Sequence, residues 1–158
     1  AKAAQAEDDP IAAWYFYLIG LGYYNMSYFG YEWEVMDYYR SGYNQLRLSQ
    51  GPVFPLRNSP DGNRENIDVS LALSYFEKSL NAAKNAEMAA RAAFMAARCR
   101  QKQWFCDPEC TYRAGSKLIP SLPYEYMSYY DLLMTQYSNT KFYEAIVKEC
   151  RWLAEYAR

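Results

Sequence analysis

Four cysteines, Cys99, Cys106, Cys110 and Cys150, are the side chains whose chemistry is easiest to write down. Three fall close together, so a thiolate metal site is the first thing to test. Zinc takes four ligands in a tetrahedron, usually from paired Cys-x-x-Cys or Cys/His spacings. Here the spacings are x6 and x3, and the chain has no histidine to complete the shell. No metal and no cofactor are expected. Cys106 and Cys110 flank Asp107-Pro108-Glu109 and can close a small disulfide ring in an oxidising compartment, with two thiols as the alternative. Cys99 and Cys150 lie on apolar helical stripes, where cysteine packs as a small hydrophobe, an inter-helix bridge being the alternative.

The absence of histidine also removes the commonest general base and the Ser/His and Cys/His nucleophile pairs. Glu32, Glu34 and Asp37 offer carboxylates at short spacing, but a polar surface carries such groups without chemistry. Gly-Leu-Gly at 20–22 lacks the third glycine and the preceding strand of a dinucleotide loop. Asn25-Met26-Ser27 matches a glycosylation acceptor but falls within a helical pattern. A non-enzymatic role is expected. Seventeen basic against eighteen acidic residues, a net charge of −1, and no block of like charge leave no electrostatic footprint for nucleic acid.

A chain of 158 residues fits one domain. The opening AKAAQAEDD reads as the polar lead-in of a piece cut or processed from a longer chain. In DVSLALSYFEKSLNAAK, Leu73, Phe76, Leu80 and Ala83 recur at three and four, predicting a helix over about 67–84 with Asp68 as N-cap and Glu77 and Lys78 outward. Met88, Ala92, Met95, Ala96 and Cys99 predict a second helix, joined to the first so tightly that the two form an antiparallel hairpin. Met127, Tyr130, Met134 and Tyr137, then Phe142, Ile146, Cys150 and Leu153, predict another hairpin running to the end. Two Pro- and Gly-rich inserts, about 46–66 and 105–121, interrupt the pattern, and no strand alternation is present.

The expected architecture is therefore all-α, a single domain over 1–158. Phe16-x-x-Ile19-Gly20-x-x-Tyr23 resembles the first helix of the tetratricopeptide repeat, and Ala72-x-x-x-Phe76-x-x-Ser79-Leu80 resembles its second. Ala92 stands in the glycine position of the next unit, with Tyr126, Tyr130 and Leu133 in its second helix. YSNTKFYEAIVKEC looks like the start of a third. The resemblance covers about two-thirds of the chain and implies antiparallel hairpins stacked as an irregular right-handed array with two loop inserts. The runs GYYNMSYFGYEWEVMDYYRSG and SYFEKSLNAAKNAEMAARAAFMAARCRQKQWF are further similar to the C-terminal helical part of large cell-envelope proteins of the Bacteroides group. That similarity implies a periplasmic or cell-surface setting and no defined activity.

Tyrosine is the anomaly, eighteen residues with nine of them between Tyr15 and Tyr43. Pro10 to Tyr31 is uncharged and holds nine aromatics, long enough for a membrane span. Its glycines, Asn25, Ser27 and mid-segment tyrosines argue against one. Phe16, Ile19, Gly20 and Tyr23 define an inward stripe. Trp14, Tyr17, Leu21, Tyr24 and Tyr28 define a second, which must be buried or borrow a partner. Tyr24, Tyr28, Trp33 and Tyr38 are thus the candidate contact residues for a protein partner. A glycan stacked on Tyr and Trp rings is the alternative ligand.

Overall fold

A computed structural model of the chain describes residues 11–31, 67–107, 109–110 and 121–157. Helices account for 75% of them, with no strand among the described residues. In chain order they are α1 (Ala12–Met26), α2 (Ser70–Ala82), α3 (Ala86–Phe105), α4 (Tyr124–Gln136), α5 (Lys141–Glu149) and α6 (Arg151–Tyr156). The longer insert, 46–66, and the middle of the shorter one lie outside the described residues.

α1 packs on α2, α2 on α3, α3 on α4 and α5 on α6; α5 leans on α3 and not on α4, so the hairpin expected of α4 and α5 does not form as a packed pair. The Ser79 hydroxyl near the end of α2 donates to the Ala13 carbonyl at the start of α1, 2.7 Å away, so these two are antiparallel. Gln103 of α3 reaches Ser70 of α2, and Arg100 of α3 donates to the Glu125 carbonyl of α4, making those pairs antiparallel as well. α1 and α3 also touch, as do α3 and α5. Across the other side, the Tyr129 hydroxyl of α4 donates to Glu77 Oε1 of α2 at 2.6 Å. Glu77 was expected to face outward; it ties α2 to α4 instead.

The central helix α3 is buried almost all round, because it carries alanine at 89, 90, 92, 93, 96 and 97, all buried. Alanine favours helix and lets neighbours approach closely from more than one side. Its start is capped by Asn85, whose Oδ1 accepts from the Met88 amide at 2.9 Å. Thr140 caps α5 in the same way, accepting from the Tyr143 amide. The carboxylate of Glu87, from the first turn of α3, accepts from the Lys141 and Phe142 amides at 2.7 and 3.0 Å, which ties the starts of α3 and α5 together.

Two sequence expectations shift. Asp68 does not cap α2 from the N-cap position; Val69 stands there, buried, and Asp68 accepts from the Ser70 amide one residue earlier. The last helix is not continuous. Cys150 adopts an extended conformation between α5 and α6, and the turn drives Leu153 fully into the core while Trp152 meets Phe105, centroids 5.4 Å apart.

The contact of α1 with α2 turns on Gly20. A Cβ placed there would come within 2.8–2.9 Å of the Phe76 ring, which is fully buried and has nowhere to move. At Gly22, on the outer side of the same helix, a Cβ would meet nothing within 4 Å. Gly20→Ala should therefore destabilise the domain by about 1–2 kcal/mol, overpacking outweighing the gain in helix propensity. Gly22→Ala should stabilise it by about 0.5–1 kcal/mol. Urea unfolding of the two variants beside the wild type checks both signs.

Candidate binding surfaces

The aromatic segment divides differently from the stripes drawn on it. The buried row of α1 is Ala13, Phe16, Gly20 and Tyr24, ending at Ser27. Tyr24, expected on a contact surface, is only 3% exposed and belongs to the main core with Leu73, Phe76 and Tyr130. Four residues beyond Gly20, it shares the glycine's face, whereas Tyr23 sits one step round and stacks on Tyr75, centroids 5.7 Å apart. Tyr28 is half-buried, its ring edge-on to Phe29. Trp33 and Tyr38 lie outside the described residues. Tyr24 and Tyr28 are therefore not brought together into an open surface.

What α1 does expose is a different set. Trp14 is 47% and Leu18 44% exposed, four residues apart on one side, with Ile11 and Met26 also out. Trp14 stacks on Tyr17, centroids 5.8 Å apart, and Tyr17 in turn packs at an angle on Phe76. Helix period alone could have found this row, since Ile11, Trp14 and Leu18 recur at three and four. The stretch is apolar on every side, so the choice of which row faces the core needed Gly20 as its marker.

A second feature lies at the other side of the core. A cleft of about 370 Å³ is lined by Tyr31 beyond α1, Arg98 and Lys102 of α3, Tyr130 of α4, and Glu149 and Trp152 around the α5–α6 turn. The Arg98 guanidinium lies 5.5 Å from the centroid of the Tyr24 ring and 5.9 Å from that of Phe94. The Lys102 ammonium lies 4.7 Å from the Phe105 centroid and 5.5 Å from that of Phe29. Burial, reinforced by the Arg98 charge, pushes the Lys102 pKa down to about 8. The Tyr130 hydroxyl is buried with no hydrogen-bond partner among the described residues, and burial raises its pKa. Sequence reasoning passed over this pair. Arg98 and Lys102 are four apart in ARCRQK and so share a helix face, a signal masked by the third cation, Arg100, which points the other way to Tyr126 and Glu125.

The cysteines are quiet. Cys106 and Cys110 stand as thiols close enough to influence each other, the Cys110 amide bonding the Asp107 carbonyl in the turn between them. Burial pushes Cys106 up to about 12 and raises fully buried Cys99 as well. A thiol held protonated is neither a nucleophile nor a metal ligand. Among the described residues no group of three or more Cys, Asp or Glu side chains is placed to hold a metal ion. None of the described helices is long and apolar enough to cross a membrane. Compared with protein-family models, curated proteins and solved structures, the chain matches none.

These pKa displacements fix a dependence of stability on pH. Lys102 is lowered, so between about pH 8 and 10.5 the unfolded chain binds a proton that the folded one has lost, and stability rises with pH. Cys99 and Cys106 are raised, so above about pH 9 the folded chain keeps protons that the unfolded one sheds, and stability falls. From pH 8 to about 9.5 the Lys102 gain should offset most of the thiol loss, the tyrosines with raised pKa values adding a smaller fall, so that Lys102→Met should lose about 1.5 kcal/mol more than the wild type. Urea midpoints across that range, under reducing conditions, measure the difference.

Proposed function

We propose that this domain is a non-enzymatic protein-binding or scaffolding module that docks a protein partner on the outer face of α1. The observation that carries the reading is that α1 has no charged residue, is apolar on both sides, and is covered by the other described residues on only one. Trp14 and Leu18, large and four residues apart, are the kind of anchor that interfaces are built around. The Cys99 and Cys106 thiols, held protonated by burial, support a role without covalent chemistry at those positions. A tetratricopeptide-like array belongs to the same reading. It is supported by the successive contacts of α1, α3 and α5 on one side and the Glu77–Tyr129 bond between α2 and α4 on the other. The proposed setting, periplasm or cell surface, rests on the sequence resemblance alone.

A protein partner is preferred to a glycan because the large ring on this face, Trp14, is stacked on Tyr17 instead of standing open as a platform. The double variant Trp14→Glu, Leu18→Glu should keep the helical spectrum and cost about 1–2 kcal/mol of stability, since each side chain is a little under half exposed. It should lose the protein that wild type retains from an extract of the native cells. Equal retention by the folded variant would remove α1 as the docking face. A sugar-dependent change in tryptophan fluorescence on a glycan panel would replace the protein partner with a glycan.

A further inference from the structure

The cleft between α3 and the α5–α6 turn is lined by three cations, Arg98, Lys102 and Arg151, and by one carboxylate, Glu149. Arg98 and Lys102 line it side by side, and the groups that act on them are each other, the Tyr24 and Tyr130 phenols, and the thiols of Cys99, Cys106 and Cys150. Neither makes an ion pair with a carboxylate among the described residues. At the rim, exposed Glu149 and Arg151 carry opposite charges and balance. The aromatic rings beneath the two cations offset part of their burial, but a cation over a ring is worth about 0.5–2 kcal/mol, whereas taking an ion out of water costs several. Two like charges held together add to that cost. The buried Tyr130 hydroxyl contributes a further donor without a partner. Such a set is complementary to an acceptor-only group carrying two negative charges.

We infer that this cleft is a binding site for a dianionic phosphate group, free or carried as a phosphomonoester. The Arg98 fork and the Lys102 ammonium supply two positive charges, which a single carboxylate would half neutralise and a phosphate dianion matches. The cleft, at about 370 Å³, has room for an organic portion beside the phosphate, and Trp152 and Ile146 line it as apolar wall. The site is separate from the α1 face and stands whether or not a protein docks there.

Calorimetric titration of the whole chain with inorganic phosphate, phenyl phosphate, sulfate and acetate tests the inference. Phosphate and sulfate should bind with a Kd of about 1 mM or tighter, phenyl phosphate more tightly if the apolar wall is used, and acetate at least about tenfold more weakly. Lys102→Met and Arg98→Lys should each weaken phosphate by about tenfold or more with the helical spectrum intact. Sulfate carries no titrating proton near pH 8. Its binding in two buffers of different ionisation heat should therefore show uptake of a fraction of a proton by the unsubstituted protein, as Lys102 is held charged by the anion. That readout decides the matter if Arg98→Lys fails to fold. The inference falls if neither phosphate nor phenyl phosphate binds, if acetate binds as well as they do, or if folded Lys102→Met binds undiminished. Retention of phosphate by the Trp14→Glu, Leu18→Glu variant separates this site from the docking face.

Discussion

The contact on which the arrangement depends is the Phe76 ring lying against the bare backbone of Gly20. α1 and α2 are separated by more than forty residues of chain, so connectivity does little to hold them together, and the closure has an entropic cost. α1 also has no acidic residue in its first turn, no basic residue in its last and no side-chain cap at its start. A helix of fifteen residues without such support is marginal alone in water. What fixes it is burial of Phe16, Tyr24 and Phe76 around the glycine, together with the Ser79 hydroxyl bonded to the Ala13 carbonyl. Because Phe76 also belongs to the main core, the spacing set at Gly20 passes on to α3.

Beyond that contact, polar side chains join elements that are not neighbours in sequence. Glu77 accepts from Tyr129, linking α2 to α4, and Glu87 accepts from two amides at the start of α5, linking it to α3. Apolar packing on α3 is broad and largely alanine, which gives area but little directional information. The carboxylate bonds supply the register that alanine cannot, since each has only one set of donors it can meet at hydrogen-bond distance. Several of the tyrosines make sense in these terms. Tyr126 and Tyr129 donate to Asp107 and Glu77, and Tyr130 and Tyr24 fill core volume.

The helical architecture was legible because apolar residues recur at three and four in every element that forms. The buried positions Ala72, Phe76 and Ser79 of α2, and Tyr130 and Leu133 of α4, coincide with those singled out by the repeat pattern. Tyr24 was misplaced for a geometric reason. Adjacent residues on a helix are about 100° apart, and when both rows are aromatic, hydropathy cannot say which faces inward. Size could have said so: Gly20 marks the close approach, and the residue four beyond it must lie on the same face. Glu77 was misread because a charged residue is presumed to face water until a phenol is found opposite it. Arg98 and Lys102 were invisible for a related reason, since charges on an alanine-rich helix look like its solvated side unless that helix is known to be central.

The break at Cys150 links the end of the fold to the cleft. Had the helix continued from Ile146, Trp152 and Leu153 would have extended away along its axis. The extended residue instead folds α6 back, so that Leu153 is buried, Trp152 reaches Phe105 and Tyr156 packs on Tyr130, centroids 5.2 Å apart. Those contacts cover the C-terminal end of α3, which would otherwise leave Phe105 and Tyr130 to solvent. The same turn places Ile146, Glu149 and Trp152 opposite Arg98 and Lys102, forming the second wall of the cleft. Capping the core and enclosing the two cations thus follow from one departure from helical geometry. A substitution that straightened residue 150 would cost the core its end and open the cleft together.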